Sequence, residues 1–159
     1  MSDAQKLILR KSRQDDREFL TKLFSDDEVI HYIVGSTKSA SMRIDDICAP
    51  LAIPPGDKMY WIAERTQDGS QVGYASACRY STSRVEISFA VSPGSRHCKY
   101  GYELVASLVA LLRTKPWIGT ILAVVNYNNV YSKRIVEKLG FIETIVNHYE
   151  KSLQPQTED

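Results

Sequence analysis

The sequence predicts a mixed α/β or α+β fold, in which one sheet contains both antiparallel and parallel strands. Two strand-like segments, residues 59–65 and Gln71–Arg79, flank a turn that contains Asp-Gly and so predict a hairpin. The segment Arg84–Val91 follows at once as a third strand, which extends the hairpin into an antiparallel meander. Later strands alternate with helices, and such connections require right-handed crossovers and some parallel pairing.

The remaining elements are predicted from apolar periodicity and from residues that stop helices. Residues 6–11 alternate weakly as a first strand, and short helices are expected before residue 59. A helix over about residues 100–115 ends at Pro116. Residues 118–125 are nearly all apolar, which is typical of a central strand covered on both faces. A closing helix over about 128–139 precedes one last strand over 141–151.

Length, composition and charge limit the possible classes of function. The chain has 159 residues, 43% of them hydrophobic and 25% charged, which indicates one domain over 1–152 and a polar tail over 153–159. The net charge is +1 without a clustered basic stretch, which argues against a nucleic-acid partner. No segment has the length of a membrane span or the apolar core of a signal peptide. We therefore expect a cytoplasmic protein.

The three cysteines and three histidines do not have the spacing of metal ligands. We therefore predict no metal site. In a reducing cytosol the cysteines would be free thiols.

The most informative stretch is residues 129–141, Asn-Val-Tyr-Ser-Lys-Arg-Ile-Val-Glu-Lys-Leu-Gly-Phe. Asn129 and Ser132 lie three residues apart on the first turn of a helix, so they share one face. Gly140 is expected to end the helix in the left-handed conformation, which lets the chain reverse into a strand. Polar side chains at a helix start beside a sheet can bind a ligand and donate a proton. A plain helix cap at Asn129 and a small packing residue at Ser132 are the alternatives.

The second informative stretch is the loop Ser-Arg-His-Cys-Lys-Tyr-Gly over residues 95–101. A loop that enters a helix exposes unpaired backbone N–H groups and the positive end of the helix dipole, which suits a pyrophosphate. Arg96 and Lys99 would add two side-chain cations. A solvated basic turn is the alternative interpretation.

These segments resemble the GNAT superfamily of acyl-CoA N-acyltransferases, and within it the ribosomal-protein alanine N-acetyltransferase (RimJ/RimL) branch. In that branch an Asn, a Ser and then Glu-Lys-Leu-Gly-Phe recur in this order. Arg96 and Gly101 match the ends of the family's pyrophosphate loop, whereas His97 and Lys99 stand where the family usually has glycine. The strand over residues 86–91 is similar to the family's Glu-Ile-Gly-Tyr-Trp-Leu strand.

The resemblance implies a GNAT-like sheet, mostly antiparallel and flanked by helices, with a splayed pair of parallel strands. Free backbone groups on the splayed strand would pair with the pantetheine arm of acetyl-CoA as an added strand. The loop before the helix would hold the pyrophosphate. The residues implied in binding the donor are Phe89, Ala90, Val91, Arg96, His97, Cys98, Lys99, Tyr100, Gly101, Tyr102, Asn129 and Ser132.

The implied reaction is direct attack of a neutral primary amine on acetyl-CoA. Ser132 is the candidate acid, or hydrogen-bond donor, for the departing CoA thiolate. Many relatives use a Tyr four residues further on, where this chain has Val136. Tyr127 and Tyr131 are nearby hydroxyls that could take its place.

Glu86 is the candidate general base of this reaction. Apolar surroundings disfavour the charged form of a carboxylate and so help it to accept a proton from an ammonium, directly or through water. An ordinary outward-facing residue, or an ion-pair partner of Arg84, is the alternative.

The acceptor implied by the branch is a protein N-terminus, and a small-molecule amine is the other possibility. The protein would be a monomer or a homodimer. The rival interpretations are a non-catalytic CoA-binding module and a protein-interaction domain that retains only the GNAT fold.

Overall fold

The chain folds around one seven-stranded sheet in a computed structural model that describes residues 6–32, 40–48, 57–95 and 99–153. The strands are β1 Leu7–Lys11, β2 Lys58–Arg65, β3 Gln71–Arg79, β4 Arg84–Val91, β5 Thr120–Val124, β6 Ile142–Ile145 and β7 His148–Ser152. Their order across the sheet is β1-β2-β3-β4-β5-β7-β6. Only the β4–β5 pair is parallel among these strands. The predicted mixed sheet is thereby confirmed.

Five α-helices occur in the described ranges: α1 Arg17–Leu23, α2 Asp27–Tyr32, α3 Ala40–Cys48, α4 Tyr100–Arg113 and α5 Val130–Lys138. One-turn 3-10 helices cover Gln14–Asp16 and Pro93–Ser95. None of the helices in the described ranges is long and apolar enough to cross a bilayer.

The helices bury both faces of the sheet in two separate apolar cores. Leu104 and Leu108 of α4, together with Ile135 of α5, pack on one face. Leu20 of α1 and Ile44 of α3 belong to the core on the other face. Because α4 directly follows β4 and α5 directly follows β5, the starts of both helices lie at the end of the sheet where these parallel strands finish.

The end of α5 has the predicted left-handed glycine. Gly140 has a φ of +87°, and its N–H donates to the Glu137 carbonyl at 3.0 Å. The Phe141 N–H donates to the Val136 carbonyl, also at 3.0 Å. These two bonds form a Schellman motif, which turns the chain back toward the sheet.

The prediction of a single strand over residues 141–151 is wrong. The chain forms a hairpin instead, because Asn147 adopts a left-handed φ of 68° and reverses the direction after β6. Asparagine tolerates this conformation better than most residues. As a result β7 pairs with β5 inside the sheet, and β6 forms the edge.

The prediction that residues 118–125 form a strand covered on both faces is also wrong in part. Ile121 and Ala123 are buried on one face of β5. Leu122 is only half-buried on the other face, where Val124 is 48% exposed. The uncovered face near Val124 leaves room for a pocket.

A buried carboxylate ties β1 to the turn that follows it. Asp16 is 1% exposed and accepts two hydrogen bonds from the Arg10 guanidinium, at 2.6 and 2.9 Å. It also accepts from the Arg13 backbone N–H at 2.8 Å and from Gln71 Nε2 at 2.6 Å. Burial raises the pKa of Asp16, but the bonds from Arg10 and Arg13 outweigh that effect and hold the pKa below its ordinary value.

We expect stability to fall on acidification because of this carboxylate. A lowered pKa in the folded state stabilises the fold above the unfolded-state pKa, and this contribution is lost as the pH falls through the folded-state value. Urea unfolding between pH 6 and pH 2.5 should show the loss below about pH 4. Asp16→Asn should cost about 1–3 kcal/mol at neutral pH and flatten the acid dependence. The variant of the exposed neighbour, Asp15→Asn, should keep the acid dependence of the wild type. If Asp16→Asn also keeps it, Asp16 is not the group that causes the loss of stability.

Candidate functional site

The two parallel strands separate near the middle of β4. Their pairing ends at Ile87 and Ala123, although β4 continues to Val91 and stays paired with β3 up to Gly73. On its β5 side, the backbone of residues 88–91 therefore has no strand partner within the described part of the chain. A free strand edge of this kind can pair with an extended, amide-containing ligand.

A pocket of about 600 Å³ opens at this separation. Sheet residues form one wall, the end of β5 and the start of α5 form another, and α3 and the β6–β7 turn each add one residue. Its lining residues are Arg43, Tyr60, Tyr74, Ser76, Cys78, Glu86, Ile87, Ser88, Phe89, Ala123, Val124, Val125, Asn126, Asn129, Ser132 and Asn147.

Four residues singled out in the sequence meet in this pocket: Glu86, Phe89, Asn129 and Ser132. Glu86 is exposed, so the expectation of apolar surroundings for its carboxylate is wrong. The alternative in which Glu86 pairs with Arg84 is not observed either. Arg84 instead contacts Glu150, with 3.2 Å between Nη1 and Oε1.

The start of α5 has a fixed geometry. Asn129 caps the helix, because its Oδ1 accepts a hydrogen bond from the Ser132 backbone N–H at 3.2 Å. The amide nitrogen of Asn129 and the hydroxyl of Ser132 take no part in that bond, and both residues line the pocket. Val136, at the position of the usual tyrosine, is completely buried in the core.

The start of α4 adopts the backbone conformation that the family's glycine would favour. Lys99 has φ 64° and ψ 11°, in the left-handed region, and its carbonyl accepts from the Glu103 N–H at 3.2 Å. A lysine in this conformation is strained. Arg96, His97 and Cys98, which also belong to the predicted pyrophosphate loop, lie outside the described residues.

The starts of α4 and α5 approach each other at Gly101. A Cβ there would lie 2.9 Å from both Tyr131 Oη and Ile135 Cδ1. Tyr131 therefore packs against α4 and does not line the pocket, and Tyr127 is 68% exposed and outside the lining as well. Ser132 lines the pocket, and neither tyrosine is among the lining residues.

The other residues predicted to bind the donor lie around this junction. The side chains of Ala90 and Val91 are buried in opposite cores, so only their backbone groups are available to a ligand. Tyr100 is half-buried at the first turn of α4. Tyr102 is 40% exposed, and Lys138 Nζ lies 5.8 Å from the centre of its ring.

A cluster of hydroxyl groups on β3 and β4 was missed in the sequence. Tyr74 Oη lies 3.3 Å from Ser76 Oγ and 3.2 Å from Ser88 Oγ. Burial raises the pKa of Tyr74, and it likewise raises that of Tyr60, the next tyrosine in the wall. Both phenols are therefore neutral hydrogen-bonding groups at neutral pH. The sequence pattern that could have revealed this cluster is Tyr74, Ser76 and Cys78 at every second position of an otherwise apolar strand, which puts them on one face.

The fold is similar to those of several solved acetyltransferases. AAC(6')-Ib in complex with paromomycin and acetyl-CoA has a TM-score of 0.78 and 18% identity, over 97% of this chain and 98% of that one. Spermidine N-acetyltransferase from Vibrio cholerae, solved with CoA and spermine, has a TM-score of 0.76 and 14% identity, over 93% and 96%. A GNAT-family acetyltransferase from Bacillus anthracis has a TM-score of 0.74 and 16% identity, over 95% and 97%.

No curated protein matches the chain. The family model described as "Acetyltransferase (GNAT) domain" matches residues 6–142, which is most of the chain. The chain therefore belongs to the acetyltransferase (GNAT) domain family.

Proposed function

We propose that the protein transfers an acetyl group from acetyl-CoA to a primary amine by direct attack. The observation that carries the proposal is the pocket where β4 and β5 separate. A carboxylate, Glu86, and a hydroxyl, Ser132, both line this cavity beside the free strand edge. Two of the similar structures contain acetyl-CoA or CoA together with an amine-bearing compound, paromomycin or spermine, which supports the same chemistry.

The residues present fit acetyl-CoA as the acyl donor. The backbone of residues 88–91 would pair with the pantetheine amides, and the Asn129 side chain has an amide nitrogen left to donate. The first backbone N–H groups of α4 would bind the pyrophosphate, and Lys99 would add its ammonium. The Lys99 backbone has the left-handed conformation that the family's usual glycine favours.

Each catalytic step has a candidate group. Glu86 would take the proton of the acceptor ammonium, directly or through water, so that the amine nitrogen can bond to the acetyl carbon. A backbone N–H near Val91 would hold the carbonyl oxygen. As the carbon–sulfur bond breaks, the Ser132 hydroxyl would donate a proton to the departing thiolate and regain one from the nitrogen, which loses its second proton as the amide forms. Holding amine and thioester together supplies much of the acceleration.

The acceptor is a primary amine on a small molecule or at a protein N-terminus. The similarity to an aminoglycoside acetyltransferase and a spermidine acetyltransferase supports the first. The RimJ/RimL-like sequence of α5 supports the second. Buried Val136 and the loop without its usual glycines favour one rival, a CoA-binding module without catalysis.

Calorimetry with acetyl-CoA provides the first test. We expect wild-type binding on the order of micromolar. The double variant Arg96→Ala/Lys99→Ala should weaken it about 100-fold, because it removes two charge-assisted contacts. Lys99→Gly is the matched variant: it removes the charge but relieves the strained φ, so it should weaken binding less and raise the melting temperature.

Acetylation of an amine panel, followed by thiol release and mass spectrometry, then separates enzyme from module. Acetylated product supports the proposal. Tight donor binding with no acetylated amine favours the non-catalytic module. No binding at millimolar acetyl-CoA contradicts both and leaves an interaction domain.

A further inference from the structure

The pocket carries two opposite formal charges. Among the described residues that line it, only Arg43 and Glu86 are charged at neutral pH. The other lining groups are hydroxyls, amides, one thiol and apolar side chains. The described lining residues therefore offer one carboxylate, whereas a polycationic acceptor would require several.

Arg43 lies at the end of the pocket formed by the two tyrosines. It projects from α3, is half-buried, and lines the cavity together with Tyr60 and Tyr74. Its positive charge acts on both hydroxyls, where it opposes the larger effect of burial on their pKa values. Asp46, one turn further along α3, also acts on Tyr60 but does not line the pocket. A guanidinium has five N–H donors, so it can bind a ligand anion while it keeps a protein partner.

Glu86 lies further along the same face of the sheet. Glu86 on β4 is opposite Cys78 on β3, and Tyr60 on β2 is opposite Ser76 on β3. Tyr60 and Glu86 are therefore offset by two residues along the strands. Two residues along a strand span about 7 Å. Ser76 and Ser88 are opposite each other on β3 and β4, two residues along the sheet from Glu86 toward Tyr74, and can bind polar atoms of a ligand.

This arrangement restricts the acceptor on charge. A ligand with several ammonium groups would place one of them toward Arg43, and like charges repel strongly in a partly buried site. A ligand with one ammonium and one anion satisfies both charged residues. Specificity would then come from attraction at one end of the pocket and from repulsion of polycations at the other.

We propose that the acceptor is a primary amine that carries an anionic group several bonds away, with the ammonium at Glu86 and the anion at Arg43. This proposal rests on the acetyl transfer proposed above. An acidic amino acid and a peptide N-terminus followed by an acidic residue share this chemistry. Polyamines and aminoglycosides, the compounds named for the similar structures, do not.

The test compares acceptors that differ only in charge. The probes are Ala-Glu-Ala and Ala-Lys-Ala, both amidated at the C-terminus, free glutamate and lysine, spermidine and kanamycin. We expect kcat/KM for Ala-Glu-Ala amide to exceed that for Ala-Lys-Ala amide at least about tenfold. Comparing free glutamate with the peptides shows whether the acceptor is a small molecule or a peptide N-terminus. Preference for the lysine peptide, spermidine or kanamycin overturns the proposal.

Variants of Arg43 separate ligand recognition from a structural role. Arg43→Gln should bring the ratio between the two peptides close to one, and Arg43→Lys should keep part of the preference. The exposed-site control Arg113→Gln should leave the ratio unchanged. If Arg43 only supports the fold, its loss lowers both rates together and the ratio persists, which overturns the proposal.

The outcomes also separate this proposal from the proposed function. If spermidine or kanamycin is acetylated and the acidic acceptors are not, the proposed acceptor is wrong but the proposed acetyl transfer is supported. If no amine is acetylated, calorimetry with Ala-Glu-Ala amide decides independently of turnover. Binding that Arg43→Gln abolishes supports the proposal, and no binding by the wild type overturns it.

Discussion

Replacing Gly73 by alanine is expected to destabilise the protein strongly and to displace β4. A Cβ on Gly73 would lie 2.5 Å from the Ala90 carbonyl oxygen and 2.9 Å from Leu104 Cδ1. The Leu104 side chain can rotate away. The Ala90 carbonyl cannot, because it belongs to the backbone of the neighbouring strand. Either β4 shifts or β3 bends, and we expect a cost of about 3 kcal/mol in the free energy of unfolding.

The same substitution should weaken acetyl-CoA binding in the protein that remains folded. Gly73 pairs with Val91 at the end of β4, within the stretch whose other edge is free for a ligand. A shift of this stretch changes the positions of its backbone donors and acceptors. We expect an affinity loss of about tenfold, equivalent to one or two weakened hydrogen bonds.

Urea unfolding and calorimetry, each with a matched variant, test both effects. Gly94→Ala is the control, because a Cβ at Gly94 meets nothing within 4 Å and Gly94 has no positive φ. It should behave as the wild type in both measurements. If Gly73→Ala unfolds within about 0.5 kcal/mol of the wild type, the close approach of β3 and β4 is wrong.

The antiparallel meander was predictable because its signals are local. A strand alternates with period two, and Asp-Gly favours a tight turn, so the bounds predicted for β3 and β4 agree with the structure. The β6–β7 hairpin has no such signal. Its turn contains neither glycine nor proline. Ile145 and Val146 are apolar although they are exposed, so the sequence pattern predicts one continuous strand.

The candidate site was predictable only where its residues are close in sequence. Asn129 and Ser132 share one helical turn, so their spacing alone places them together. The hydroxyl cluster depends on the register that sets Ser76 opposite Ser88, and no local pattern fixes a register between strands. Arg43 comes from α3, which is distant in sequence from the other lining residues, and only tertiary packing brings it to the sheet.

Lys99 departs from the family in residue type but not in backbone conformation. The usual glycine is absent, yet the backbone still adopts the left-handed conformation. Glycine adopts that conformation readily, but the sequence does not say whether a lysine in its place would do so. The structure around Lys99 thus outweighs the local preference of one residue.

Replacing Glu86 by glutamine is expected to have the largest effect on turnover. The variant keeps the size and hydrogen-bonding reach of the side chain but cannot accept the proton of the ammonium. General-base catalysis contributes about 10²–10⁴-fold, so we expect kcat to fall by at least about 10². Acetyl-CoA affinity should stay near the wild-type value, because the donor-binding groups proposed above belong to β4 backbone, α4 and α5.

The variant Glu150→Gln is the matched control. Glu86 and Glu150 flank Leu122 on the two neighbouring strands, so both carboxylates lie on the same face of the sheet. Glu150 is ion-paired with Arg84 and does not line the pocket. Its neutralisation should therefore leave kcat within about twofold of the wild type.

Single-turnover kinetics then separate the chemical step from product release. With acetyl-CoA and acceptor bound, Glu86→Gln should slow the appearance of acetylated amine by the same factor as kcat, because the lost group acts on the reacting nitrogen. A fall in kcat without a slower single turnover would assign Glu86 to product release. Unchanged kcat in Glu86→Gln would mean that water alone removes the proton, and the exposed position of this carboxylate would then be that of an ordinary surface residue.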